Sequence, residues 1–82
     1  MLRYHVYGWT RREPHGFAAV VAAVPRAKDQ KIVRSERMAR TESDAMMMLV
    51  LLADSMVRKM KDAGHQLEAL TLAESPPKGL SR

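Results

Sequence analysis

The residues that could take part in acid–base or phosphate chemistry are concentrated in the first fifteen positions of this chain. His5 and His15 carry imidazoles, Tyr7 and Glu13 are further proton-transfer types, and Arg11 could hold a phosphate group. A metal-free ribonuclease uses side chains of these kinds. Ribonuclease activity is therefore one alternative function for this sequence.

The other candidates for catalysis are poor. His5, His15 and His65 have no ligand-like spacing, cysteine is absent, and the first two predicted strands hold no group of carboxylates for a divalent cation. Ser43 and Asp44 are better explained by a helix cap than by a hydrolase triad with His65. We therefore expect a non-enzymatic protein that uses no metal and no cofactor.

Strands at the start of the chain must position these side chains. From Leu2 to Trp9 the residues alternate between two faces, which predicts a half-buried strand. Tyr4 and Val6 belong to the face turned toward the core. The outward face carries Arg3, His5, Tyr7, Trp9 and Arg11. A charged turn, "TRREPHG", follows, and the next run from Phe17 to Pro25 is apolar on both faces, as in a central strand.

The later elements are less uniform in pattern. Residues 26–40 could form a strand or a helix, and the β-branched pair Ile32–Val33 favours a strand from Lys31 to Ala39. Thr41 and the acidic residues after it predict a helix from Glu42 to Ala63, closed by Gly64. The run "HQLEALTLAE" then forms a short strand or a second helix, of which we prefer the strand.

The expected fold is therefore α+β: an antiparallel sheet of three or four strands, packed on one face by one long helix. Residues 1–73 form a single domain, and residues 74–82, "ESPPKGLSR", form a flexible or partner-ordered tail. The longest apolar run has nine residues, too few to cross a membrane. The lack of cysteine suits a reducing cytoplasm, so a cytoplasmic protein without membrane contact is expected.

The charge of the chain indicates an anionic partner. Residues 1–41 carry nine basic and three acidic side chains, a net +6, whereas residues 42–82 have a net charge of −1. Rings between cations can stack on single-stranded bases while arginine meets phosphate. The predicted nucleic-acid or partner-binding residues are Arg3, His5, Tyr7, Trp9, Arg11, Arg12, Lys28, Lys31, Arg34 and Arg37. The alternative is that Tyr7 and Trp9 pack beneath the tail or a dimer partner.

A second type of contact is predicted on the helix. Met47 and Leu51 fall on the side opposite the apolar stripe, where they would expose apolar surface to water. We interpret these two residues as a homodimer contact. The alternative is that the tail covers them.

Three features resemble HicB-like antitoxin domains: Tyr4 and Val6 in the first strand, Gly16–Phe17 with Pro25 closing the second, and a Thr-x-x-x-Ala helix start from Thr41 to Ala45. This resemblance implies a β-β-β-α fold and a non-enzymatic, partner-binding role. As a class, small basic proteins without cysteine are also similar to phage accessory proteins, including anti-CRISPR proteins. Such proteins act by occupying a nucleic-acid path or a protein surface.

Together these features predict a small basic protein that binds nucleic acid or a nucleoprotein complex through its N-terminal sheet region, as a phage-encoded inhibitor of host machinery would. A protein–protein inhibitor or antitoxin-like module that never touches nucleic acid is the first alternative. The metal-free ribonuclease is the second.

Overall fold

The computed structural model describes residues 2–80 and contains four strands and one helix. In chain order these are β1 (Arg3–Glu13), β2 (Gly16–Pro25), β3 (Val33–Ala39), α1 (Glu42–Asp62) and β4 (Gln66–Ala73). One sheet packed against one long helix confirms the predicted α+β class. The run after the helix is a strand, as preferred from the sequence.

The sheet has the order β3-β2-β1-β4 and is mixed rather than wholly antiparallel. β2 pairs antiparallel with both β1 and β3, whereas β4 pairs parallel with β1. The parallel pair is a consequence of the position of α1. The helix crosses the sheet from the end of β3 at one edge to the start of β4 at the other edge, so β4 runs in the same direction as β3 and β1. β1 also extends to Glu13, four residues beyond the predicted end at Trp9, so the turn shortens to Pro14 and His15.

Gly16 fixes the start of β2 after this short turn. Its φ angle is +155°, and a Cβ atom at this position would collide with the backbone carbonyl oxygen of Ala39 in β3. Only glycine fits where the strands approach so closely. This contact aligns β2 between β1 and β3.

The first face of the sheet packs against α1. Thr41 caps the helix by accepting the backbone N–H of Asp44 at 3.1 Å, as predicted, and α1 ends one residue before the predicted Ala63. Its apolar stripe covers the alternating side chains of β1 and β2. This core consists of Tyr4, Val6, Ala19, Val21, Ala23, Leu49, Ala53, Met56 and Met60. Within residues 2–80, no helix combines the length and apolarity needed to cross a bilayer.

The second face of the sheet is also covered, but by the chain's own C-terminal segment. Trp9, Ala18, Val20 and Ala22 are fully buried there, and Leu80 packs against them. Burial on both sides explains why β2 is apolar on both faces. The tail was predicted to be flexible or ordered by a partner; its described part lies against the sheet, and residues 81 and 82 fall outside the described range.

Candidate nucleic-acid interface

Two rings on the second face of β1 stack on each other. The His5 and Tyr7 ring centroids lie 3.9 Å apart with an interplanar angle of 3°, and both side chains are half-buried. The His5 Nε2 atom lies 2.8 Å from the Thr71 hydroxyl of β4, so a hydrogen bond from the neighbouring strand fixes the imidazole. Strand alternation places Arg3 on the same face, next to His5. These residues form a short aromatic and cationic row.

Trp9 does not belong to the exposed part of this row. We predicted that its ring is displayed for stacking, but the side chain is 0% exposed. The Arg34 guanidinium lies 5.5 Å from the Trp9 ring centroid, and Leu80 packs on the same apolar cluster. The prediction of an outward Trp9 is therefore wrong, because segments distant in sequence cover it. Its packing matches the alternative in which the tail lies over this face.

The charge of Arg11 is matched inside the protein. Its guanidinium lies 2.6 Å from the Glu13 carboxylate and 2.7 Å from the Glu36 carboxylate. The hydrogen bond to Glu13 has the largest effect and that to Glu36 the next largest, and both raise the pKa of Arg11 above its ordinary value. Desolvation has the opposite, lowering effect. Arg34 also lies 3.8 Å from Glu36. Arg11 and Arg34, two cations of the predicted site, therefore both lie beside carboxylates of the protein itself.

Arg12 and Arg37 lie on the other face of the sheet from His5 and Tyr7. Arg12 is in register with Phe17, and its guanidinium lies 5.7 Å from that ring. Arg37 is in register with Ala19, which belongs to the core beneath α1. Directly paired residues project to the same face. The predicted binding residues thus do not form one continuous surface.

The structure instead gathers exposed cations at the end of the sheet where β1 begins. The Arg26 N–H donates to the Arg3 carbonyl at 2.9 Å, which joins the end of β2 to the start of β1. The Gln66 N–H donates to the Leu2 carbonyl at 2.8 Å, and the His65 N–H donates to the Met60 carbonyl, which brings the end of α1 to the same place. We call the exposed cations here the basic end: Arg3, Arg26, Lys28, Lys31, Lys59 and Lys61.

The basic end has a clear excess of positive charge. Its six cations are accompanied by three acidic residues, Asp29, Asp62 and Glu68. Only Arg26 among the six has an ion pair within the described residues, at 3.0 Å to Glu68, and its side chain remains 65% exposed. A screened pair of this kind is weak, so Arg26 stays available to a partner.

Lys59 and Lys61 were missed as binding residues from the sequence. Both lie in the last turn of α1, where cations complement the helix dipole. The length of the helix could have indicated where these lysines lie. A helix of 21 residues spans about 32 Å, so it crosses the whole sheet and ends at the opposite end of the strands from its start. Arg26 was also not among the predicted binding residues.

The set of residues considered for a ribonuclease is not assembled in one place. His5 and Glu13 are separated by eight residues of one extended strand, or about 26 Å. His15 follows Glu13 in the turn, and Arg11 and Glu13 are paired with each other. Across residues 2–80, no three His, Asp or Glu side chains converge as metal ligands would.

The predicted dimer residues lie on the outer side of α1. Met47 is 64% exposed and Leu51 is 68% exposed, and both border a hollow with Met48 and Ala39. The described tail lies on the opposite face of the sheet and does not cover them. The dimer contact itself stays a prediction.

No protein-family model matches the chain, and neither a curated protein nor a solved structure matches it.

Proposed function

We propose that this chain is a non-catalytic protein that binds single-stranded nucleic acid at its basic end and at the adjoining His5–Tyr7 ring stack. The observation that supports it is the convergence of six exposed cations from three separate segments at one end of the sheet. Occupying the nucleic-acid path of a larger complex, as an anti-CRISPR-like inhibitor does, requires only these features.

Phosphates and bases would be held by different groups. The lysines and arginines of the basic end neutralise backbone phosphates and release counterions, which gives affinity without sequence preference. His5 would offer a base the ring face that Tyr7 does not cover, since bases stack on histidine rings. Arg3 connects the two groups because it lies at the basic end and on the same face as His5.

The adjoining rings favour nucleic acid over an acidic protein surface. A purely electrostatic contact with a protein needs cations alone, whereas single-stranded nucleic acid uses cations beside an aromatic platform. A protein–protein inhibitor without nucleic-acid contact remains the competing proposal. It predicts no oligonucleotide binding even at low salt.

The test is a fluorescence-anisotropy titration of a labelled single-stranded oligonucleotide at several salt concentrations. If all six cations meet phosphates, the slope of log K against log salt is about −4, since each contact contributes roughly −0.7. Affinity then falls roughly 300-fold between about 50 and 200 mM salt. Absence of binding at the lower salt would overturn the proposal.

Paired variants locate the contact. The double substitution Lys28→Gln/Lys31→Gln removes two cations of the basic end, so the slope should become shallower by about 1.4. The matched control is Arg12→Gln/Arg40→Gln, which removes two exposed arginines near the opposite end of the sheet. Equal effects of the two doubles would show that overall charge, and not the basic end, governs binding.

A further inference from the structure

An apolar groove runs between α1 and β4. Four large side chains along it are about half exposed: Met46 at 54%, Val50 at 56%, and Leu70 and Leu72 at 46% each. Two adjoining hollows, which share Val50 and Leu72, make this groove continuous along the helix. The six cations of the basic end are not among the residues that line it.

The groove borders an unpaired strand edge. Among residues 2–80, β4 pairs with β1 on one side only, and in its eight residues it has one charged side chain, Glu68, and no proline. The other edge strand, β3, carries Arg34, Glu36 and Arg37 in seven residues. Charges on an edge strand discourage its pairing with a strand of another chain. The charges of β3 therefore protect that edge from such pairing, whereas the edge of β4 can pair with another strand.

We propose that a second copy of this chain covers the groove, with β4 of one protomer pairing with β4 of its partner. In this arrangement the same patch on each protomer meets its own copy about a two-fold axis perpendicular to the sheet, so the two β4 strands run antiparallel. The two sheets then join into one sheet of eight strands. The two helices lie antiparallel on the same face of that sheet, and the two apolar grooves adjoin across the seam between the β4 strands.

The charges of α1 favour a second copy over an unrelated partner. The first turn of the helix carries Glu42 and Asp44, whereas the last turns carry Arg58, Lys59 and Lys61. In the antiparallel arrangement the acidic first turn of each helix is on the same side as the basic last turns of the other helix. Glu42 lines the groove with Met46, and Lys61 lies one turn beyond the groove residue Val57 on the same side of the helix. The first and last turns of the helix are therefore complementary in charge, and the other charged residues along the groove are Asp54 and Glu74.

This interface differs from the dimer contact predicted from the sequence. Met47 and Leu51 lie on the outer side of the helix and border a different hollow, toward β3. Met46 and Met47 are therefore a matched pair, because they are consecutive methionines of similar exposure and only Met46 lines the groove.

Sedimentation equilibrium of the full chain tests the proposal. At about 100 µM, a hundredfold above a Kd of 1 µM, the wild-type chain should sediment as a dimer. Met46→Glu should sediment as a monomer, and Met47→Glu should remain a dimer. Circular dichroism of each variant checks that it is folded, and Leu72→Lys provides a second disruption of the groove if Met46→Glu does not fold.

Charge exchange tests the antiparallel geometry. Lys61→Glu places like charges together and should weaken the dimer at least several-fold, and adding Glu42→Lys to the same chain should restore it. A wild-type chain that is monomeric at about 100 µM overturns the proposal. A dimer that Met47→Glu dissociates, and Met46→Glu does not, also overturns it.

Discussion

Removal of the C-terminal segment that covers the second face of the sheet should destabilise the protein and expose its tryptophan. A chain ending at Ser75 lacks Pro77–Leu80, which border a hollow with Tyr7, Val24 and Ile32. Full burial of a leucine stabilises by about 1.5–3 kcal/mol, so the partly buried Leu80 contributes roughly 1 kcal/mol. Re-exposure of the apolar surface beneath it adds about 1 kcal/mol more.

The expected loss of about 2 kcal/mol corresponds to a decrease in Tm of roughly 8–16 °C for a domain of this size. Trp9 is the only tryptophan, so its fluorescence emission reports directly on this face and should shift to longer wavelength in the truncated chain. Lys78→Ser is the control, because Lys78 belongs to the same segment but is exposed. Unchanged emission and an unchanged Tm after truncation would refute the packing of the tail on the sheet.

Two further substitutions test the turn and the helix cap. Gly16→Ala should lower the free energy of unfolding by roughly 2–4 kcal/mol in a denaturant titration. The added Cβ would collide with the Ala39 carbonyl oxygen, and the positive φ angle would strain the alanine backbone. Gly64→Ala, where φ is also positive but the surrounding space is open, should cost only about 1–2 kcal/mol; equal losses would contradict the steric explanation. Thr41→Ala should cost about 1 kcal/mol, because it removes the hydroxyl that accepts the Asp44 N–H. Thr41→Ser keeps a hydroxyl and should therefore keep most of the stability of the wild-type chain. Equal stabilities of the two variants would argue against the cap.

Local patterns in the sequence predicted the elements well. Alternation in β1 assigned Tyr4 and Val6 to the core beneath α1, and the cap at Thr41 located the start of the helix. The two apolar faces of β2 indicated a strand covered on both sides. These patterns are local because a strand or helix sets the period of its own side chains.

The surroundings of the outward side chains could not be predicted in the same way. The Arg34 guanidinium lies over the Trp9 ring, Leu80 packs on the apolar cluster to which Trp9 belongs, and Arg11 is paired with Glu36, which lies 25 residues away. Alternation assigns a residue to a face but does not say what lies over that face. The basic end was also hidden, because its lysines from the helix join Arg3 of β1 and the cations that follow β2 only after the chain folds.

The location of a bound oligonucleotide on the protein tests the central proposal most directly. Amide chemical shifts measured by NMR during a titration at low salt should change in the three segments of the basic end, residues 3–7, 26–31 and 58–65. Amides near the opposite end, at residues 12–16 and 37–42, should change little. Shifts concentrated at that opposite end, or no shifts at any oligonucleotide concentration, would contradict the proposed function.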